Sequence, residues 1–217
     1  MAKHTSLSNG GIITYLNVLG DKFAQEVKPE TQGAQEITNS KGVKKYYLLY
    51  QGITGVIVDL STKESDFTGK METYLVVKLR DGSETMQLEF RVGSGMFKSF
   101  ANRIINADVS KPVTLTVAVF EEEKGGKAIT NKYVLVYNGE TKVLPKYSKD
   151  ELPAWEAITH PKTQAFIEWD KTEQNTFFLD KLNELKSKLT PTEAAAITSA
   201  PVDHEEFSGD NENDLPF

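Results

Sequence analysis

The chain has 217 residues, 39% hydrophobic and 26% charged, which is enough for one domain with a core plus extensions. It has no cysteine, no apolar run approaching a membrane span and no apolar region in its opening Met-Ala-Lys-His-Thr-Ser, so disulfides and thiolate metal sites are excluded and a cytoplasmic protein is expected. The net charge of −6 is unevenly placed: residues 190–217 hold seven carboxylates and no Lys or Arg, which leaves a body of 25 basic and 24 acidic residues.

Residues 1–43 read as an N-terminal strand, 12–20, followed by a polar, turn-rich arm over 28–42. From Lys44 the pattern is strongly β. Residues 46–60 predict one long strand bent at Gly52 and Gly55, with a loop over 61–70. Residues 72–80 then alternate, Leu75, Val77 and Leu79 on one face and Tyr74, Val76, Lys78 and Arg80 on the other. Asp81-Gly82 is a hairpin signal, and the return strand 84–92 puts Met86, Leu88, Phe90 and Val92 inward and Gln87, Glu89 and Arg91 outward. Ser94 or Gly95 caps a short helix over 96–106 with Phe97, Phe100 and Ile104 on its apolar side. Strands over 113–120 and 129–138 follow, joined by a flexible loop containing Gly125-Gly126, and 141–145 is a short addition.

A long bent strand, a hairpin, a short helix and a second hairpin is the order of an OB-fold. The expected fold is therefore mainly β, a five-stranded OB-fold-like antiparallel barrel over 44–147 with a short helix between strands 3 and 4. Residues 148–189 read as a proline-containing linker and a helical extension. Its stripe runs Phe166, Trp169, Phe177, Phe178, Leu182, Leu185 and Leu189, with a break around 170–175. Residues 190–217 are too acidic and too poor in apolar residues to order, and a disordered tail is expected.

Catalysis finds little support. His4, His160 and His204 fall in the opening, the linker and the tail, no zinc spacing is present, and Gly93-Ser94-Gly95 lacks the Gly-Lys-Ser/Thr that completes a P-loop. No cofactor, no metal and no enzyme are expected. Sequence-tolerant binding of single strands needs aromatic faces for base stacking and cations along the backbone. The residues of that type predicted to face outward are Tyr74, Lys78 and Arg80 on one strand, Arg91 across the hairpin, and Phe120, Lys132, Tyr133 and Tyr137 on the last hairpin. Tyr46, Tyr47 and Tyr50 extend this set, and Lys63, Lys70, Lys124 and Lys127 flank the two loops.

The chain ends Asn213-Asp214-Leu215-Pro216-Phe217, a hydrophobic tip on an acidic string. Phe217 can enter an apolar pocket while a basic rim takes Asp214 and the terminal carboxylate. This ending resembles the acidic tip of bacterial and phage single-stranded DNA-binding proteins, which finish Asp-Asp-Asp-(Ile/Leu)-Pro-Phe. The element order also resembles that family, a phage-encoded or divergent bacterial member being the better match. The resemblance implies a protein that coats and protects single-stranded DNA in replication, recombination and repair. It further implies that Asp214, Leu215, Pro216 and Phe217 recruit partner enzymes, inside a bacterium or a phage-infected host. Homo-oligomerisation stays open. A protein-assembly module on the same barrel and a mediator that anneals complementary strands are the alternatives.

Overall fold

The computed structural model describes residues 13–189 apart from 40, 68 and 125. Twelve strands and two helices follow one another within these bounds. They are β1 (Ile13–Leu19), β2 (Lys22–Val27), β3 (Gln35–Thr38), β4 (Lys44–Tyr50), β5 (Gly52–Phe67), β6 (Lys70–Asp81), β7 (Glu84–Arg91), α1 (Gly95–Ile104), β8 (Val113–Lys124), β9 (Lys127–Asn138), β10 (Thr141–Lys142), β11 (Glu156–Thr159), β12 (Phe166–Asp170) and α2 (Thr172–Lys186). The first ten strands form one sheet in the order β10-β9-β8-β5-β6-β7-β1-β2-β4-β3, and β11–β12 is a separate hairpin.

The fold is mainly β, but the expected five-stranded OB-fold-like antiparallel barrel is not what forms: the sheet is ten-stranded, mixed and open. Closure needs the outer strands of the two central hairpins to meet. Instead β9 takes β10 as its second neighbour, and β7 takes β1. The β1–β7 pair is parallel, with Ile13 opposite Thr85 and Leu16 opposite Leu88. The donors and acceptors a closing strand would use on β7 are thereby spent, and the sheet stays open and mixed. The residues expected to be an arm supply strand β3, and β2 precedes them; both pair with β4.

Other boundaries also moved. The long bent strand is two strands that part at Gln51. The loop expected over 61–70 is mostly ladder, since β5 pairs with β6 from Val56–Arg80 out to Phe67–Lys70. Gly55 is required by close approach: a Cβ there would lie 2.9 Å from the Arg80 carbonyl oxygen. The bend itself comes from a bulge between Ile57 and Asp59. The helix α1 begins as expected, the Ser94 hydroxyl accepting from the Phe97 amide at 3.1 Å.

One buried cluster runs from Leu16 and Phe23 through Leu75, Val77, Leu79, Leu88 and Phe90 to Phe97, Phe100 and Ile104 of α1. Helix α2 adds Phe178, Leu182 and Leu185, spaced four and three apart, and Phe178 meets Phe97 edge to face at 6.2 Å. Each such fully buried side chain contributes about 1.5–3 kcal/mol. Among the described residues no helix is long and apolar enough to cross a membrane.

Candidate nucleic-acid interface

Alternation along β5, β6 and β7 turns one set of side chains away from the core, and the register aligns them in rows. Lys63, Tyr74 and Arg91 share one row. Asp59, Lys78 and Gln87 share another, and Arg80 lies opposite Val56 and Thr85. The expected group Tyr74, Lys78, Arg80 and Arg91 is therefore brought together on a single face.

That face is a mosaic of both signs. Glu72 holds Arg91 through a 3.2 Å bond from Nη1 and accepts the Tyr74 hydroxyl at 3.1 Å. Burial, then this bond to Glu72, raises the Tyr74 phenol above its ordinary pKa. Lys63 pairs with Glu89 at 2.7 Å and also sits 5.9 Å above the Tyr74 ring. Lys78 and Lys186, the latter from α2, both reach Asp59, at 3.6 and 3.0 Å. Arg80 alone of the three expected cations has no ion pair among the described residues.

The remaining expected residues lie elsewhere. Phe120 is 58% exposed and meets Tyr133 edge to face at 5.6 Å. Tyr137 is further along β9, opposite Thr114 and Lys142. Strand β8 pairs with β5 only over Gly52–Gly55, whereas Tyr74 lies opposite Lys63, eight residues further along β5, a strand path of about 26 Å. The two aromatic groups are separate patches. Lys132 does not share a face with Tyr133: strand alternation puts it on the Val134 side, lining a shallow cavity with Ser94, Gly95 and Met96. Tyr46, Tyr47 and Tyr50 belong to β4, where Tyr46 donates to Glu36, Tyr50 donates to Gln25, and burial pushes the Tyr47 phenol up to about 12. Asp214, Leu215, Pro216 and Phe217 lie outside the described residues.

A cluster not anticipated from the sequence sits on β11–β12. Trp155, Phe166 and Trp169 are 44%, 55% and 49% exposed, with Trp169 6.5 Å from Trp155 and 5.1 Å from Phe166 between ring centres. The ammonium groups of Lys98 and Lys171 lie 4.4 and 4.9 Å from the centre of the Trp155 ring. Burial, and then the neighbouring Lys171 charge, lowers the Lys98 pKa to about 8. The sequence signal available was both tryptophans of the chain within fifteen residues. Reading Phe166 and Trp169 as a helix stripe hid it.

No protein-family model, curated protein or solved structure matches this chain.

Proposed function

We propose that the protein binds single-stranded DNA without sequence preference, coats and protects it, and recruits replication and repair enzymes through Asp214–Phe217. On this reading it works inside a bacterial cell or a phage-infected host. The observation that carries the reading is the row Lys63–Tyr74–Arg91 with Lys78 and Arg80 beside it: an aromatic ring flanked by cations along a half-buried strand face. Such a ring can stack on any base, and the cations can take the phosphates on either side. Because Glu72, Glu89 and Asp59 already partner three of these cations, a bound strand exchanges internal ion pairs for phosphate contacts. Binding is then moderate and readily reversed by salt.

The test is a salt titration of end-labelled oligo-dT binding by anisotropy with the full chain. Affinity should fall linearly on a log–log plot, and Arg80→Glu should weaken binding and flatten the slope, since Arg80 has no carboxylate to compensate it. No anisotropy change at low salt would sink the reading and leave a protein-assembly module.

A further inference from the structure

We infer that the aromatic face of the β11–β12 hairpin is a second stacking site for single-stranded nucleic acid, separate from the β5–β7 face. This rests on the reading that the chain binds single strands, and it assigns that activity to residues outside the ten-stranded sheet.

The hairpin has two chemically different faces. Ala157 is opposite Trp169, and Thr159 is opposite Phe166, with a bulge between these rungs that turns Phe166 and Trp169 to the same side. Trp155, two residues before Ala157, joins them, so three rings line one face. Glu156 and Asp170 form the adjacent rung and point to the other side. Asp170 is further occupied there, accepting from the Thr172 amide at 2.8 Å where α2 begins. The carboxylates of this rung are turned away from the rings.

The face is held in place. The Trp155 indole donates to Gln174 Oε1 at 2.9 Å, and Gln174, itself buried, donates to the Pro153 carbonyl at 3.1 Å. Trp155 is thereby an anchor, and Trp169 and Phe166 are the rings left open. The cations of this cluster lie over Trp155 and differ from those of the β5–β7 face. Neither Lys98 nor Lys171 has an ion pair among the described residues, and the Lys98 ammonium is buried without a hydrogen-bond partner there. An apolar protein partner would have to cover the Lys171 ammonium with no carboxylate to receive it, and Lys is depleted from protein interfaces. A nucleic acid strand supplies bases for the rings and a phosphate for Lys171, while the Lys98 ammonium is already buried against Trp155.

Both tryptophans of the chain lie in this hairpin, so tryptophan emission reports on it alone. With the full chain and end-labelled oligo-dT, emission should be quenched over the same concentrations at which anisotropy rises. Trp169→Ala and Phe166→Ala should each weaken binding about five- to hundredfold with an unchanged salt slope. Lys171→Ala should flatten that slope. Circular dichroism of each variant separates lost stacking from lost folding, because neither ring carries the Gln174 anchor. Anisotropy that rises with unchanged emission, and wild-type affinity in both ring variants, would overturn the hairpin site while leaving the single-strand reading intact. An absent anisotropy change would overturn both. Wild-type DNA affinity with loss of self-association in the ring variants would also overturn it, assigning the face to protein contact.

Discussion

At the scale of single residues, Lys98 and Glu72 hold opposite positions: one is a cation with no hydrogen-bond or ion-pair partner among the described residues, the other a carboxylate with two. Burial lowers the Lys98 amine from 10.5 to about 8, so between those values the unfolded chain holds a proton that the folded chain has released. Stability should therefore rise with pH across that window, and the cost of burying the charge is fully present below about pH 8. Lys98→Met should raise the melting temperature at neutral pH and remove this part of its alkaline rise, measured by thermal denaturation across the window. Glu72 acts in the other direction. Glu72→Gln removes the charge that holds Arg91 while its amide oxygen can still accept the Tyr74 hydroxyl, and oligo-dT affinity at low salt should increase about fivefold, the equivalent of ~1 kcal/mol for one charge at about 4 Å in water. Unchanged or weaker binding would remove Arg91 and Tyr74 from the path of the strand.

At the scale of elements, what was legible followed local chemistry. Ser94 capping α1, Asp81-Gly82 turning β6 into β7, and the alternation of Leu75, Val77 and Leu79 each act within a few residues. The group Tyr74, Lys78, Arg80 and Arg91 was legible for the same reason, since alternation and one hairpin register place all four. The β11–β12 hairpin was not. Residues three apart share a face in a helix, and the bulge makes Phe166 and Trp169, also three apart, share a face in a strand. Periodicity alone cannot separate these two states in so short a segment. Lys132 and Tyr133 were grouped by adjacency in sequence, although adjacent strand residues point oppositely. Gly55 is the element-scale position most sensitive to change. Gly55→Ala puts a methyl against the Arg80 carbonyl and forces β5 from β6, and chemical denaturation should show a loss of about 1–3 kcal/mol.

At the scale of the whole molecule, the closed barrel failed because its edges are decided far from the barrel segment. Nothing within residues 44–147 says that residues 13–16 will occupy the outer edge of β7. Charge is distributed on the same scale. Seven carboxylates in residues 190–217 are tethered to a body near neutrality whose binding cations are few. Truncation after Leu189 should tighten oligo-dT binding most visibly below about 0.1 M salt, where the screening length is roughly 10 Å or more. Deleting Phe217 alone should leave DNA affinity as it is and lose partner capture. Identical DNA affinity of the full and truncated chains at low salt would show that the acidic segment does not compete with DNA for the cations of the body.

The parallel rung between β1 and β7 also sets a timetable. Thr14 donates to Glu84 across 70 residues of chain, and the β7 edge is the place where β1 joins the central strands. At about 5–20 residues per second, a ribosome takes several seconds to produce β7 after β1. During that interval β1 lacks the neighbour it has in the finished sheet. Slowed codons between residues 50 and 85 should prolong that interval and lower the yield of correctly assembled protein, which expression from a recoded gene would measure.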